Sequence, residues 1–414
     1  MHRHGQDGIA DVYLERGLHD HLHSVRHRAI KDHTRLSMLP VGVHLLASAT
    51  PQADERDLVF LADRLAQAKV LGLGEATHGS KELGQIRERL IEALVHRSGA
   101  VVIALETNPA GCEDIDHYLK TGEGDPVRLV GGLGQWMWDT EELVDLVRRL
   151  RAIEASGGVD IAFSGFDIQD VADQTKEVID WARVHAPDCA EEIAGALSDG
   201  PEEAGRCRRS MRSAADVYSW LMSADVGRRP PDDHVVHSAR ILALHEQMEA
   251  AGPERAQNIV RDRAMAENVE WIVDHSSRDA TVVLWAHNGH VAKSQGLMGG
   301  YLNDVYGSSY LAIATTTYEG TYRALGMYPH PSLGVHQIAA APRGSVEGAL
   351  HSLGEAVLFL DVREAMASCA HFVSPTMMML DIGAITDDHD FFRARLTRFD
   401  GIAFIDETTA SRSP

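Results

Sequence analysis

The sequence has 414 residues, of which 44% are hydrophobic, and its 61 acidic side chains against 39 basic ones give a formal charge of −22 at pH 7. This length is enough for one large domain or two smaller ones, with a core of ordinary size for a globular protein. A surface this negative repels phosphates, and no apolar run approaches the roughly 20 residues that cross a bilayer, which argues against nucleic-acid-binding and membrane-spanning proteins.

Residues 1–40 are predicted to form a polar, histidine-rich N-terminal extension without the apolar stretch that a signal peptide needs. One interpretation is a metal-binding tract, because imidazole is a common metal ligand. The other is a loosely packed peripheral extension, which we favour. The histidines concerned are His2, His4, His19, His21, His23, His27 and His33.

From about residue 56 onward, predicted helices and strands alternate. Short apolar runs indicate strands over 69–75, 101–106 and 161–167. Amphipathic spacing indicates helices over 55–68, 80–97, from Glu113 onward, and 141–156. Strands that are apolar throughout are typical of a parallel sheet that is covered on both faces.

Residues 170–277 show helical spacing alone, with breaks at Pro187, Pro201 and Pro230. Strand patterns then resume over 281–287, 310–318, 356–362 and 401–407. The sequence therefore predicts an α/β fold with a mostly parallel central sheet covered by helices on both faces. Residues 41–169 and 278–414 would form the catalytic core, and 170–277 would form an inserted helical cap subdomain.

Four cysteines occur, and none is part of a CxxC pair; they are Cys112, Cys189, Cys207 and Cys369. Their wide spacing does not suit a metal ribbon. We therefore expect reduced thiols and a cytoplasmic protein.

Several predicted strands end in an ionisable residue: Glu75, Glu106, Asp167 and His287. A carboxylate at the end of an apolar strand is costly to bury unless it has partners. In open α/β sheets, ligands bind at the carboxyl ends of the strands. We interpret the four as converging on a catalytic pocket; the alternative is a set of structural salt bridges or helix caps.

His78 follows Glu75 in the turn GLGEATHGS, between a predicted strand and a predicted helix. A helix N-terminus disfavours a protonated imidazole, which would leave His78 neutral and able to act as a base. A nearby glutamate would oppose that effect and fix the tautomer. The alternative is a histidine that is merely hydrogen-bonded within a tight turn.

Arg87 lies on the inward stripe of the helix 80–97, four residues after Leu83. A guanidinium that faces the core must meet carboxylates, so Arg87 either takes part in the pocket or forms a structural bridge. His287 and His290 follow a strand at a spacing of three, which lets both rings face one pocket. Such a histidine–carboxylate set could also hold a divalent metal such as zinc.

Two familiar motifs are missing. Gly72 and Gly74 resemble the start of a dinucleotide-binding loop, but Thr77 stands at the third glycine position and Glu75 would repel a pyrophosphate. No G-x-S-x-G sequence occurs, which argues against a serine hydrolase of the α/β-hydrolase type.

The chain resembles the erythromycin esterase family from about residue 45 to its end. GEATHG together with WAHNxHV at this separation is a specific signature. The matching segments, in the family's order, are GLGEATHGSKELGQIRERL (72–90), ALETN (104–108), QWMWDTEELVDLVRRLR (135–151), FSGFDIQ (163–169), RDRAMAENV (261–269), LWAHNGHV (284–291), 298–313 and FDGIAFIDET (399–408).

The resemblance implies a six-residue catalytic set: Glu75, His78, Arg87, Glu106, His287 and His290. It implies that His78 activates water against a lactone carbonyl without a metal or other cofactor. Glu75 and Glu106 would orient that imidazole. Arg87, His287 and His290 would bind the carbonyl or the developing oxyanion.

The substrate is less well indicated. The loop 131–140, the insertion 170–270 and the N-terminal extension do not match a macrolide-resistance enzyme. Asp167, Trp136, Trp138, Tyr301 and Tyr306 are candidate substrate-binding residues, although aromatic side chains usually belong to the core.

Three hypotheses about function remain. The first is an ester or lactone hydrolase that acts on a macrolide-like or polyketide-like small molecule. The second is a tailoring enzyme of natural-product biosynthesis that cyclises, eliminates or forms a lactone with the same pocket. The third is a protein that binds a small molecule without turnover, against which the intact six-residue set argues. The sequence does not indicate the oligomeric state.

Overall fold

The computed structural model describes residues 39–51, 53, 55–198, 211–223, 231–327, 331–368, 372–386 and 390–414. Its strands are β1 (Val43–Leu45), β2 (Val70–Glu75), β3 (Ala100–Leu105), β4 (Asp160–Gly165), β5 (Thr281–His287), β6 (Tyr310–Leu325), β7 (Leu333–Ile338), β8 (Val357–Asp361), β9 (Thr376–Leu380), β10 (Phe391–Arg395) and β11 (Gly401–Thr408).

The described α-helices lie between these strands, and a longer run of helices separates β4 from β5. They are α1 (Val59–Leu65), α2 (Lys81–Val95), α3 (Pro109–Thr121), α4 (Pro126–Gly131), α5 (Glu141–Ser156), α6 (Ala172–His185), α7 (Ala190–Leu197), α8 (Ala214–Leu221), α9 (Asp233–Ala250), α10 (Glu254–His275), α11 (Asn288–Val291), α12 (Met298–Tyr306), α13 (Val346–His351) and α14 (Val362–Ala367). Short 3-10 helices cover Glu55–Leu58, Gly307–Ser309 and Leu396–Arg398.

The central sheet has the strand order β1-β8-β11-β6-β2-β5-β3-β4, with β7 paired to β6. The six strands from β11 to β4 run parallel to one another. Strands β8, β1 and β7 are antiparallel to their neighbours. The prediction of a mostly parallel sheet is confirmed, and the antiparallel strands make it mixed.

Helices cover both faces of the sheet, as predicted. One face packs against α2, whose inward stripe of Leu83, Ile86, Leu90 and Leu94 is at most 1% exposed. The other face packs against α10 through residues such as Met265 and Val269. Strands β2 and β3 are buried along their whole length, which explains their continuous apolar sequences.

The described parts of 172–275 are largely helical. These helices contribute to two different apolar clusters. Helices α6 to α9 share an apolar cluster that includes Val178, Trp181, Val217 and Trp220. Helix α10, which closes this stretch of sequence, instead joins the core of the sheet. The domain boundaries and the role of the helices as a cap stay predictions.

The sequence patterns miss four strands. Strands β1 and β7 lie outside the parallel core. Strand β1 has only three residues, and β7 is exposed at every second residue. Strands β9 and β10 pair only with each other, and β10 has no fully buried residue. Short length or marginal burial weakens the apolar signal in β1, β7 and β10, whereas β9 is an apolar run, TMMML, that the sequence patterns do not assign to a strand.

The histidines of the N-terminal extension, together with Cys207 and Cys369, lie outside the described residues. Cys112 is a buried free thiol. Cys189 is disulfide-bonded, so the expectation of a reduced thiol is wrong at this residue. In the part of the chain that the structure covers, no helix is both long enough and apolar enough to span a membrane.

Candidate active site

Parallel register brings the ends of three strands together. Glu75 of β2 is aligned with His287 of β5, and Leu105 of β3 is aligned with Trp285. Glu106 follows Leu105 directly, and its backbone N–H donates to the Trp285 carbonyl at 3.0 Å. The side chains of Glu75, Glu106 and His287 therefore share one edge of the sheet.

His78 lies in the turn between β2 and α2, held by a close approach of the backbone. A Cβ atom on Gly79 would lie 1.8 Å from the Arg323 carbonyl oxygen, so the turn requires glycine there. The ring is only 9% exposed, and its Nδ1 lies 2.7 Å from Oε1 of Glu75. This hydrogen bond places the proton on Nδ1, because a carboxylate can only accept. The other ring nitrogen, Nε2, has no hydrogen-bond partner among the described residues and is left as the basic atom.

Arg87 lies beneath this pair. Its Nη2 pairs with Oε2 of Glu75, and its Nε donates to the Leu83 carbonyl at 3.0 Å. The guanidinium carbon lies 4.1 Å from the centroid of the Trp285 ring, a cation–π contact. Nη1 is buried and finds no partner in the described structure, so it is an unsatisfied donor beneath the His78–Glu75 pair.

Glu75 is an anion that bridges His78 and Arg87. Burial alone would raise the pKa of Glu75, but the charges of Arg87 and His78 outweigh burial and lower it. The carboxylate therefore stays ionised and can stabilise an imidazolium when His78 takes up a proton.

Glu106 accepts hydrogen bonds from three groups. Oε1 accepts from Arg261 Nη2 at 2.7 Å and lies 3.2 Å from His290 Nε2, while Oε2 accepts from the His287 backbone N–H at 2.9 Å. Burial opposes ionisation, yet His290 and Arg261 hold the pKa of Glu106 well below its usual range. The structure records no hydrogen bond from Glu106 to His78, so any support that it gives to that ring is electrostatic.

His290 is held as an imidazolium. Its Nε2 faces Glu106, and its Nδ1 lies 2.9 Å from Asp262 Oδ1. Burial lowers the pKa of His290, but the two carboxylates raise it to about 10. Nη1 of Arg261 lies 3.3 Å from Nε2. Both nitrogens carry hydrogens and neither can accept, so this contact is not a hydrogen bond.

His287, in contrast to His290, is held as a neutral ring. Its Nδ1 accepts from the Gly289 backbone N–H at 3.2 Å, and its Nε2 lies 3.2 Å from both the Ile382 carbonyl and Asp381 Oδ1. Burial lowers the pKa of His287, and the nearby His78 and His290 act in the same direction, which together outweigh the opposing charges of Asp381 and Glu106. The ring is thus a neutral donor through Nε2, 5.4 Å from the His78 ring between centroids.

The structure does not bring all predicted substrate-binding residues together. Trp138 is 2% exposed, donates to Gln135 at 3.0 Å and packs edge-on against Trp285. Trp136 packs against the same core cluster. Tyr301 and Tyr306 pack against the cluster on the other face of the sheet. These four aromatic residues therefore do not form one continuous wall.

Asp167 is at the same edge of the sheet, but its carboxylate is already engaged. Oδ1 accepts from Arg261 Nε and Oδ2 accepts from Arg261 Nη2, each at 2.8 Å. Oδ1 also accepts from the Ile168 N–H at 2.7 Å. This geometry makes Asp167 a partner of Arg261.

Sequence reasoning did not single out Arg261, Asp262 or Asp381. Arg261 and Asp262 belong to the segment RDRAMAENV, where a buried acidic–basic pair on a helix could have been a signal. Asp381 follows the unpredicted strand β9, so no pattern placed it near His287. Within the described ranges, no three His, Cys, Asp or Glu side chains are grouped as metal ligands would be.

Comparison with known proteins gives one family. Residues 95–408 match the family model described as erythromycin esterase. The match begins after Glu75, His78 and Arg87, so it covers Glu106, His287 and His290 of the predicted set.

Two relatives have names that describe a function. The Bacillus subtilis (strain 168) protein YbfO, named as a hydrolase, is 23% identical over 272 residues, which cover 58% of this chain and 60% of that protein. The erythromycin esterase type II of Escherichia coli is 22% identical over 415 residues, which cover 87% of this chain and 94% of that protein.

A solved structure gives the same fold. A mutant of the erythromycin esterase EreC, described as being in its open conformation, superposes with a TM-score of 0.65 at 17% identity. The superposition covers 88% of this chain and 97% of that one.

Proposed function

The chain belongs to the erythromycin esterase family, and we propose that it is a hydrolase that cleaves an ester or lactone of a macrolide-like or polyketide-like small molecule with water activated by His78. Membership of the family and the names of the relatives support a hydrolase-like function. The observation that carries the finer proposal is the 2.7 Å contact between His78 Nδ1 and Glu75, which leaves Nε2 free.

The proposed reaction begins with proton transfer. Nε2 of His78 takes a proton from water as the water oxygen attacks the acyl carbon, and Glu75 stabilises the resulting imidazolium. The carbonyl oxygen gains negative charge, and we assign its stabilisation to Arg87, whose Nη1 has no partner in the described structure, and to His287, whose Nε2–H donates to the Ile382 carbonyl before substrate binds. The acyl carbon–oxygen bond then breaks, and the imidazolium returns the proton to the leaving alkoxide. One water is consumed for each acid and alcohol formed.

The electrostatics of the site support this division of roles. Glu75 and Arg87 neutralise each other, so the pair can sit beneath His78 at little net charge. Glu106 and His290 hold fixed charges and do not exchange protons near neutral pH. Among these groups, His78 is the one with a free basic nitrogen, and His287 is a ring whose Nε2–H donates to the Ile382 backbone carbonyl and lies 3.2 Å from Asp381 Oδ1.

Mass spectrometry tests the proposal. We expect incubation with a panel of macrolide lactones and linear esters to open at least one lactone to a product heavier by one water, or to split at least one ester into an acid and an alcohol whose masses sum to substrate plus one water. For a His78→Asn variant the matched control is His351→Asn, because His351 also has a carboxylate at its Nδ1, Asp406 at 2.6 Å, and contacts none of the site residues described above. Product without a gain of water would favour cyclisation or elimination, and unchanged ligand across the panel would count against the proposed hydrolysis.

A further inference from the structure

Arg261 lies at the centre of the charged groups behind the proposed site. It enters from α10, a helix distant in sequence from every strand end in the site. Its guanidinium makes a two-point contact with Asp167, and Nη2 also donates to Glu106 at 2.7 Å. The side chain is 13% exposed, and its two carboxylate partners are at most 5% exposed.

Glu106 transmits this contact to His287. One carboxylate oxygen, Oε1, takes the hydrogen bond from Arg261, and the other, Oε2, takes the backbone N–H of His287 at 2.9 Å. A carboxylate is planar and rigid, so fixing Oε1 also fixes the direction of Oε2. The His287 backbone is therefore oriented by a side chain that does not touch its ring.

The His287 ring depends on that backbone orientation. Its Nδ1 accepts from the N–H of Gly289, two residues onward, inside a turn that begins at His287. This local hydrogen bond requires Nδ1 to be unprotonated, which places the remaining proton on Nε2. Rotation of the His287 peptide would break the hydrogen bond from Gly289, and the ring could then carry its proton on either nitrogen.

We infer that Arg261 is a positioning residue that fixes the orientation and tautomer of His287 through Glu106. The inference rests on the proposed function only in giving His287 a role toward substrate. The positioning itself follows from five hydrogen bonds and can be measured without a substrate.

The contacts of Arg261 depend on the planar, multi-donor guanidinium group of arginine. Nε and Nη2 face the two oxygens of Asp167, and Nη2 reaches Glu106 at the same time. Lysine keeps the positive charge but has a single nitrogen, which cannot hold both carboxylates in this geometry. Arg261→Lys therefore separates positioning from charge, whereas removal of the charge would leave buried carboxylates unpaired.

The test compares Arg261→Lys with Arg240→Lys. Arg240 is the matched control because it is also a partly buried arginine paired with a glutamate, Glu267 at 2.6 Å, and is 22% exposed, but it has no link to Glu106. Histidine side chains labelled with ¹⁵N report the tautomer, and a His287→Gln spectrum identifies the His287 signals. Turnover is measured in parallel on any substrate found above.

We expect the wild type and Arg240→Lys to show His287 as a single Nε2–H tautomer, and Arg261→Lys to show exchange between tautomers. With a substrate, kcat should fall about 10- to 100-fold in Arg261→Lys while KM changes less than about 3-fold. An unchanged His287 signal in Arg261→Lys would overturn the inference. Absence of turnover in the wild type would count against the proposed function and leave the tautomer result to decide the inference.

Discussion

Oε1 of Glu75 lies 2.7 Å from Nδ1 of His78, and the second oxygen of the same carboxylate pairs with Arg87. One buried anion therefore selects the tautomer of the proposed base and is itself held in place by a guanidinium. This relationship gives a geometric basis to the expectation that Glu75 orients His78, and it adds Arg87 as a direct partner of Glu75.

Glu75→Gln should reduce turnover strongly with little change in substrate binding. The amide cannot stabilise an imidazolium by charge, and it can present an N–H to the ring and so reverse the tautomer. We expect kcat to fall about 10²- to 10⁴-fold. Steady-state kinetics checks this, with Asp406→Asn, which alters the His351 pair, as the control. A kcat within a factor of three of the wild type would mean that the carboxylate does not support the base.

The stability of the protein should depend on the charge of His290 at alkaline pH. The pKa of His290 is raised to about 10, above its usual value of about 6.5. The imidazolium therefore contributes stability that is fully present below pH 6.5 and is lost as the pH rises through about 10. Urea unfolding of the wild type and His290→Gln at several pH values measures this contribution. The stability difference between them should shrink from pH 6.5 to pH 10, and a constant difference would contradict the assignment.

Gly79→Ala should destabilise the fold and displace His78. The new Cβ would lie 1.8 Å from the Arg323 carbonyl oxygen, so the backbone must move. We expect a loss of about 1–3 kcal/mol in the free energy of unfolding together with a loss of activity. Gly99→Ala is the control, because nothing lies within 4 Å of its Cβ position. Equal stability of the two variants would show that the turn tolerates a side chain.

A chelator should leave activity unchanged, since the proposed mechanism assigns activation of water to His78. Activity assays after dialysis against EDTA, with and without added zinc, check this. A large loss that zinc restores would instead favour a metallohydrolase.

The sequence predicted the parallel core of the fold for a clear physical reason. Strands such as β2 and β3 are buried on both faces, so they are apolar throughout, and an ionisable residue at their end is conspicuous. Parallel register then brings such ends to one edge, which is how Glu75, Glu106 and His287 come together.

The rest of the site depends on long-range packing, which short sequence patterns do not encode. Arg261 and Asp262 lie within a helix and reach the site because α10 packs on the sheet. Asp381 follows β9, an apolar run of five residues that the sequence patterns do not predict as a strand. The charge of His290 follows from Asp262 and Glu106, and the neutral state of His287 follows mainly from burial, so the spacing of the two residues could not distinguish a neutral ring from a charged one.

The most direct test of the account is the turnover of His78→Ala on a substrate that the wild type hydrolyses. The ring is buried and hydrogen-bonded to one neighbour, so the variant should fold with nearly the wild-type melting temperature. The account predicts that hydrolysis falls to the limit of detection while His351→Ala stays fully active. Hydrolysis at the wild-type rate by folded His78→Ala would contradict the claim that this imidazole activates water.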